Sequence, residues 1–262
     1  QLLKIPYGVT MTYGELAEAV NRAGNALLGL GIGKGDRVLM MVKDCPAFFF
    51  VFWGAIKAGI IPVPINTLLR AKDYTFMIED SGCTGLVYSP EFAGEVEPAL
   101  EAASSKPAHA FRTEGEGRTL NGLMTAASDV LDVAPAGADE DCFWLYSSGT
   151  TGTPKGAVHA HRDMVETGEH YATNMLGLKE DDVGFSAAKL FFAYGLGNGM
   201  TFPLWVGAST ILLPGPPTPD STFDVIEKFK PSVYYGVPTL YAAQLKALES
   251  EERDLSSLRA CV

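Results

Sequence analysis

The sequence predicts an α/β protein whose mostly parallel β-sheets are covered by helices on both faces. Short apolar runs that suit buried strands alternate along the chain with stretches that have the apolar spacing of a helix. This alternation favours βαβ units, in which the crossover makes neighbouring strands parallel. The strand segments are continuously apolar, as expected for sheets buried on both faces. With 47% apolar and 19% charged residues, the composition is that of a globular protein.

The first half of the chain alternates strands and helices and then changes character. We predict helices over residues 12–30, 48–57, 71–80 and 94–103, and strands over residues 37–42, 60–63 and 85–88. Residues 104–140 are rich in Ala, Gly, Ser, Pro and charge. We therefore expect a mostly surface connection there, with one weakly helical patch over residues 120–127.

An apolar stretch over residues 47–65 approaches the length of a membrane span. Lys57 lies near its middle, and Pro62 and Pro64 would break a helix. We interpret the stretch as a buried helix that runs into a short strand.

The alternation resumes after Cys142. We predict strands over residues 143–146, 183–187, 209–213 and 232–235, a short strand through Val158, helices over residues 162–176, 197–206 and 222–229, and a helix opened by Pro238.

Charge and cysteine content exclude some classes of function. The net charge of −11, with no cluster of Lys and Arg, argues against nucleic acid as the main partner. The cysteines are Cys45, Cys83, Cys142 and Cys261, and neither their spacing nor the nearby histidines match a zinc site. We expect free thiols, no bound structural metal and a reducing compartment, with the cytoplasm as the default location.

A loop over residues 147–156, SSGTTGTPKG, carries the clearest chemical signal. It combines five hydroxyl side chains, three glycines and one cation, Lys155. Glycines allow turns that point successive N–H groups inward, hydroxyls add donors, and the ammonium supplies positive charge. The loop therefore predicts a cradle for a polyphosphate.

Two alternatives compete with this interpretation. A Walker A loop places Lys directly after Gly and continues into a helix, whereas Lys155 follows Pro154 and leads into a short apolar strand. A surface hairpin rich in Ser, Thr and Gly would have a similar composition, and the ordered Lys and flanking strands argue against it.

The loop resembles the signature loop of the adenylate-forming family, which includes acyl-CoA synthetases, luciferases and peptide-synthetase adenylation domains. The resemblance implies MgATP as a substrate, coenzyme A as the acyl acceptor, and an acyl-adenylate as the intermediate. Lys155 would neutralise phosphate charge. The residues implied as phosphate contacts are Ser147, Ser148, Gly149, Thr150, Thr151, Gly152, Thr153 and Lys155.

Residues 186–210 resemble benzoate-CoA ligases in particular. On that resemblance Ala193, Tyr194 and Gly195 are candidates for the acid-binding pocket, flanked by Phe191 and Phe192. Small residues leave room for a flat ring, and aromatic residues suit it chemically. Core packing of the FFAY segment is the alternative.

Other polar residues carry weaker signals. His159 and His161 are two residues apart and do not complete a metal site, so a structural role at the start of a helix is favoured. Lys189 could pair with a carboxylate or face solvent. Tyr235 and Gly236 end a strand, where ligands of open α/β sheets bind, so a contact with adenylate or pantetheine is a further hypothesis.

The resemblance also implies a domain organisation. Residues 36–176 are expected to form one subdomain, and residues 1–33 with 183–262 the other. They would be the two helix-flanked sheets of the N-terminal domain, without the β-barrel part and the C-terminal domain that carries a catalytic lysine. We expect the fragment alone to be inactive, and a homodimer stays open. Alternatives to an aryl-CoA ligase are activation of another acid, adenylation for a carrier protein, and a non-catalytic nucleotide- or acyl-binding module.

Overall fold

The computed structural model describes residues 3–5, 9–147 and 154–262. Its strands are β1 (Leu3–Ile5), β2 (Val9–Met11), β3 (Arg37–Met41), β4 (Ile61–Pro64), β5 (Gly85–Tyr88), β6 (His109–Arg112), β7 (Asp141–Ser147), β8 (Lys155–Ala160), β9 (Val183–Ser186), β10 (Ser209–Ile211), β11 (Val233–Tyr235) and β12 (Ala260–Cys261). Its α-helices are α1 (Tyr13–Gly29), α2 (Pro46–Lys57), α3 (Ala71–Ser81), α4 (Ala93–Ala102), α5 (Leu120–Ala126), α6 (His161–Thr167), α7 (Ala193–Leu196), α8 (Phe202–Val206), α9 (Pro219–Phe229) and α10 (Pro238–Ala247). A π-helix follows α6 over Gly168–Met175, and a second one joins α7 to α8 over Gly197–Thr201.

The described residues form two compact units. One is Gly14–Asp163, and the other combines the described residues up to Tyr13 with Met164–Val262. The sequence prediction of an α/β fold with mostly parallel sheets and flanking helices is confirmed. We call Gly14–Asp163 the hairpin unit and the other the acid-segment unit.

The hairpin unit is built on a four-stranded parallel sheet in the order β4-β3-β5-β6. One face packs against α3 and α4 through a cluster that includes Leu39, Val63, Tyr74 and Val96. Because side chains alternate along a strand, Val38, which is also fully buried, lies on the opposite face. The antiparallel pair β7 and β8 forms a separate two-stranded sheet of this unit.

Helix α1 lies in the hairpin unit, which corrects the predicted placement of residues 1–33 with 183–262. A Cβ atom added to Gly54 of α2 would lie 2.8 Å from the Gly24 backbone nitrogen of α1, so the two helix backbones pack closely at paired glycines. Asn21 and Arg22 of α1 also donate hydrogen bonds to backbone carbonyls within residues 127–129. The described residues up to Tyr13, the first residue of α1, belong to the other unit, in which β1 pairs in parallel with β10.

The acid-segment unit contains a six-stranded sheet in the order β12-β11-β9-β10-β1-β2. Its pairings are parallel except that between β1 and β2. On one face Phe185 and Tyr234 stack and pack against α9 and α10. On the other face Val233 and Tyr235 pack against Ala172 of the first π-helix and Phe202 of α8. Helices therefore cover both faces of this sheet.

The segment over residues 47–65 forms α2 followed by β4, as the sequence predicted. None of the helices within the described residues has both the length and the hydrophobicity to span a bilayer. The prediction of a mostly surface connection over residues 104–140 missed β6, which extends the parallel sheet at its edge. That strand has the sequence HAFR with a single buried side chain, so it lacks an apolar run.

Candidate functional site

The hairpin of β7 and β8 carries the predicted phosphate-binding loop. The strands pair in antiparallel register, with Tyr146 opposite Gly156 and Ser147 opposite Lys155. The loop therefore leaves β7 after Ser147 and rejoins β8 at Lys155. As the sequence predicted, Lys155 leads into a strand rather than a helix, which distinguishes the hairpin from a Walker A loop.

Only the two ends of the loop lie within the described residues. Ser147 and Lys155 are both exposed, and no other described residue forms an ion pair or hydrogen bond with the Lys155 ammonium group. Six predicted phosphate contacts lie outside the described residues: Ser148, Gly149, Thr150, Thr151, Gly152 and Thr153. The hairpin thus presents an exposed cation at the end of a segment rich in hydroxyls and glycines.

Two aromatic side chains connect the loop end of this hairpin to the C-terminal end of α3. Tyr146 Oη donates a hydrogen bond of 2.6 Å to Asp80 Oδ2. Burial raises the pKa of Tyr146, and this hydrogen bond raises it further. The Arg37 guanidinium lies 5.5 Å from the centre of the Trp144 ring, whose buried Nε1 has no hydrogen-bond partner among the described residues.

His159 and His161 lie where β8 meets α6. The His159 ring stacks on Phe143 at 4.6 Å between centroids, and its Nδ1 lies 3.2 Å from Asp163 Oδ2. The same carboxylate accepts a hydrogen bond from the Ala160 amide. These contacts support the structural role at a helix start that the sequence favoured. Within the described part of the chain, no three His, Cys, Asp or Glu side chains are grouped as a metal site.

In the acid-segment unit, the predicted pocket residues follow β9 and begin α7. Phe191 is buried, whereas Phe192, Ala193 and Tyr194 are exposed in succession before the buried Gly195. The two phenylalanine rings are tilted against each other at 4.5 Å between centroids. Three consecutive exposed residues, two of them aromatic, show that this segment is not purely core packing.

Lys189 and Gly195 fix the shape of this segment through the backbone. Lys189 Nζ donates hydrogen bonds to the carbonyl oxygens of Leu213 at 2.5 Å and Gly215 at 2.6 Å. The Lys189 carbonyl accepts from the Phe192 amide and would lie 2.0 Å from a Cβ atom added to Gly195. The space that Gly195 leaves is therefore filled by the chain itself, which corrects the prediction that this glycine makes room for a ring.

Two tyrosine hydroxyls of this unit meet at one backbone carbonyl. Tyr194 Oη donates to the Val262 carbonyl at 2.8 Å, and Tyr241 Oη donates to the same oxygen at 3.0 Å. Burial, together with smaller contributions from the nearby Tyr241 and Tyr171, raises the pKa of Tyr194 to about 12. The Gly236 amide donates to Tyr241 Oη, so it is already engaged within the protein.

Tyr235 is fully buried, and its hydroxyl has no hydrogen-bond partner among the described residues. Burial raises its pKa, and Tyr171 raises it further. The nearby π-helices contain another buried polar atom without a described partner, Asn198 Oδ1. In the same unit, the Trp205 ring of α8 fills the space over Gly168, and its Nε1 donates to Thr173 Oγ1 at 3.2 Å.

The start of β9 is held by a buried carboxylate. Asp182 accepts hydrogen bonds from the Arg259 guanidinium at 2.6 and 2.8 Å, from Ser232 at 2.7 Å and from the Lys179 amide at 2.9 Å. Burial by itself would raise the pKa of Asp182, but hydrogen bonds from Arg259, Ser232 and Lys179 outweigh it and lower the pKa to about 2. The carboxylate therefore stays ionised and joins three segments next to β9.

These features can be compared with known proteins. A family model described as AMP-binding enzyme matches residues 4–262. The chain belongs to the AMP-binding enzyme family. Within that family, it is 46% identical over 252 residues to a benzoate–CoA ligase of Thauera aromatica. The aligned region covers 95% of this chain and 48% of the relative. It is 42% identical to a 4-hydroxybenzoate–CoA/benzoate–CoA ligase of Rhodopseudomonas palustris, over 97% of this chain and 47% of the relative. The chain thus spans about half the length of these relatives.

Solved structures of the family give the same picture. A benzoate CoA ligase from Burkholderia xenovorans superposes with a TM-score of 0.92 at 41% identity, covering 99% of this chain and 51% of that one. An anthranilate CoA ligase in complex with anthranoyl-AMP superposes with a TM-score of 0.95 at 36% identity, with the same coverage.

Sequence reasoning missed several residues that shape the two regions. Tyr146 and Asp80 are 66 positions apart, so no local pattern connects them. Trp144 and Tyr146 alternate along β7 directly before the loop, and that alternation was a usable signal that one face of the strand is anchored. Lys189 was considered for its charge, whereas it acts through its hydrogen bonds to two carbonyls.

Proposed function

We propose that the whole protein activates an aromatic carboxylic acid, benzoate or a substituted benzoate, with ATP and transfers the acyl group to coenzyme A. The observation that carries this proposal is the combination of the SSGTTGTPKG hairpin with the FFAY segment in one chain. The identities to benzoate–CoA and hydroxybenzoate–CoA ligases support the aromatic substrate.

In the first step, a carboxylate oxygen of the acid forms a bond to the α-phosphorus of ATP. The bond between that phosphorus and the bridging oxygen to the β-phosphate breaks, and pyrophosphate leaves with the electron pair. Lys155, together with Ser147, Ser148, Gly149, Thr150, Thr151, Gly152 and Thr153, would hold the β- and γ-phosphates and neutralise the charge that develops on pyrophosphate.

Mg²⁺ would accompany ATP and lower the negative charge of its phosphates. The described residues do not group three potential metal ligands, so we assign no residue of this chain to the ion. In the second step, the thiolate of coenzyme A attacks the acyl carbon of the adenylate, and AMP leaves.

The acid would bind at Ala193, Tyr194 and Gly195. Ala193 is exposed with a small side chain, and Tyr194 supplies a half-exposed ring whose hydroxyl is already bound to the Val262 carbonyl. In this arrangement Tyr194 offers its ring face rather than its hydroxyl to the substrate. Gly195 contributes by letting the backbone close on Lys189.

Acid-dependent exchange of pyrophosphate into ATP tests the proposal on the whole protein. We expect exchange with benzoate, hydroxybenzoates or aminobenzoate that exceeds exchange with aliphatic acids. Exchange with aliphatic acids only would overturn the aromatic assignment, and ATP binding without exchange for any acid would favour a non-catalytic binding module.

A second measurement separates the acyl acceptors. A p-hydroxybenzoic acid–AMP ligase of Mycobacterium marinum is 30% identical over 92% of this chain and 32% of that protein, so release or carrier transfer of the adenylate is a specific alternative. We expect coenzyme A to accelerate AMP formation and to yield the acyl thioester. AMP formation that does not respond to coenzyme A would favour the alternative.

The free thiols of Cys45, Cys83, Cys142 and Cys261 support a cytoplasmic location for the protein, because free cysteines persist in reducing compartments. Light scattering on the whole protein tests whether it forms a homodimer.

A further inference from the structure

Tyr146 is the last side chain on its face of the hairpin before the phosphate loop begins. Its cross-strand partner is Gly156, and the next pair toward the loop is Ser147 with Lys155. Because side chains alternate along a strand, the Tyr146 side chain projects from the face opposite to that of Ser147. A contact that holds the Tyr146 side chain on its face therefore also determines the face on which the Ser147 and Lys155 side chains lie.

The Tyr146 ring lies over Gly156. A Cβ atom added to Gly156 would lie 3.2 Å from Trp144 Cε3 and 3.5 Å from Tyr146 Cζ. The conformation of Gly156 is not one that requires glycine, since its φ is not positive. We conclude that this glycine of the loop motif accommodates the two rings of the neighbouring strand.

The two rings share one anchor at the end of α3. Tyr146 Oη reaches Asp80 at 2.6 Å, a short hydrogen bond to a charged acceptor. Trp144 packs against Arg37, whose guanidinium donates to the carbonyl oxygens of Ser81 at 2.5 Å and Gly82 at 3.2 Å. The consecutive residues Asp80, Ser81 and Gly82 therefore hold the end of the hairpin that carries the loop.

Ser147 and Lys155 are paired residues on either side of the loop, and they follow directly on the Tyr146–Gly156 pair. A side-chain contact that holds Tyr146 therefore also limits where the Lys155 ammonium group can lie. We propose that the hydrogen bond between Tyr146 and Asp80 is a positioning contact for the phosphate loop, which holds Lys155 where the polyphosphate of ATP binds. This inference rests on the proposed function of the loop.

Substitution of Tyr146 and Asp80 in the whole protein tests the inference. Removal of the hydroxyl by Tyr146→Phe should raise both the KM and the Kd for ATP about three- to tenfold, the range for loss of one hydrogen bond. The KM for benzoate should not change. Asp80→Ala should reproduce the effect, Asp80→Asn should rescue most of it because the amide oxygen still accepts, and the double variant Tyr146→Phe/Asp80→Ala should be no worse than either single variant.

Tyr88→Phe is the matched control. Tyr88 Oη donates a comparable hydrogen bond of 2.9 Å to Glu97 in the same unit, on β5 rather than on the hairpin. We expect Tyr88→Phe to leave the ATP affinity unchanged. Equal effects of Tyr88→Phe and Tyr146→Phe on ATP affinity, no effect of Tyr146→Phe, or an equal rise in the KM for benzoate would each overturn the positioning role.

Calorimetric titration of ATP without acid keeps the inference separate from the proposed function. Wild-type protein that binds ATP but exchanges with no acid would contradict the proposed catalysis alone, and the ATP affinity of Tyr146→Phe would still decide the positioning role. Wild-type protein that binds no ATP would contradict both.

Discussion

The hairpin of β7 and β8 and the segment around α7 are stabilised in different ways. Side chains hold the loop end of the hairpin, through the Tyr146 hydrogen bond to Asp80 and the packing of Trp144 on Arg37. The α7 segment is held through the backbone, by the close approach of Gly195 to the Lys189 carbonyl and by the Lys189 ammonium bound to two other carbonyls.

This difference determines which substitutions each region tolerates. The hairpin presents an exposed cation that side-chain substitution removes without disturbing its strands. The α7 segment has little tolerance for added volume at Gly195, because a main-chain oxygen occupies the space. If the two regions serve ATP and acid separately, variants in one should leave the kinetics of the other substrate unchanged.

The largest effect is expected for Lys155→Ala in the whole protein. Loss of the cation should lower kcat/KM for ATP about 100-fold, since it removes charge-assisted contacts to the departing pyrophosphate. The KM for benzoate should stay within error of wild type. Pyrophosphate exchange at varied ATP measures this, with Lys72→Ala, an exposed lysine of α3, as the control. Unchanged ATP kinetics in Lys155→Ala would contradict the assigned role of the loop.

Gly195→Ala should affect the acid rather than ATP. The added Cβ would meet the Lys189 carbonyl at 2.0 Å, so the segment must shift. We expect an overpacking cost of about 1–3 kcal/mol in the free energy of unfolding and a rise in the KM for benzoate of about tenfold. Urea unfolding and exchange at varied benzoate measure these quantities.

Gly94→Ala in α4 is the control, because no atom lies within 4 Å of its added Cβ. Wild-type stability and benzoate kinetics in Gly195→Ala would show that the close approach to Lys189 is dispensable. A change in the KM for ATP as large as that for benzoate would break the separation of the two regions.

The acid-segment unit should also show a pH dependence that comes from Asp182. Its pKa of about 2 in the folded state lies below the unfolded value of about 3.9. The folded state therefore binds fewer protons between these values, and the stabilisation of about 2 kcal/mol is complete above about pH 4 and is lost as the pH falls toward 2.

Urea unfolding of wild type and Asp182→Asn between pH 3 and 7 checks this sign. The stability difference should be constant from pH 5 to 7 and should shrink below about pH 4. A difference that grows as the pH falls would contradict the assigned direction. Unchanged ATP affinity in Asp182→Asn would sharpen the comparison, because Asp182 supports only the unit that carries α7.

Lys189→Met should have the smallest effect of the series. The variant keeps the apolar stem and removes two hydrogen bonds to carbonyls, so we expect a loss of about 1 kcal/mol in the free energy of unfolding. The KM for benzoate should rise by less than in Gly195→Ala, and Lys189→Arg should recover part of the loss. No change in either quantity would show that the two hydrogen bonds contribute nothing to this segment.

The sequence predicted the fold class because helix and strand periodicities are local and because the strands are continuously apolar. It missed β6, whose pairing with β5 orders a segment without an apolar run. It also separated α1 from the unit in which α1 packs, since the contact between Gly24 and Gly54 depends on two helices meeting in space.

For the candidate site, too, local features could be predicted from the sequence, whereas contacts between distant residues could not. The phosphate loop remains a prediction from composition and residue order, because a nest of N–H groups and a cation need only glycines, hydroxyls and Lys155 in sequence. The contacts of Gly195 and Tyr146 were not predictable, because each depends on a partner outside its own element. The resemblance to benzoate-CoA ligases led to the prediction of an acid pocket at the FFAY segment, but it gave none of the contacts that support this segment.

The contact of Trp144 with Arg37 has a practical consequence for spectroscopy. The chain contains three tryptophans, Trp53, Trp144 and Trp205. Trp144 lies on β7, which leads into the predicted phosphate loop, and its ring faces the Arg37 guanidinium, whereas Trp205 lies in α8 of the other unit. Indole emission responds to nearby charge, so the protein carries an intrinsic optical reporter in each unit. Variants that retain only Trp144 or only Trp205 would report separately on the surroundings of one tryptophan in each unit by fluorescence, without an attached dye.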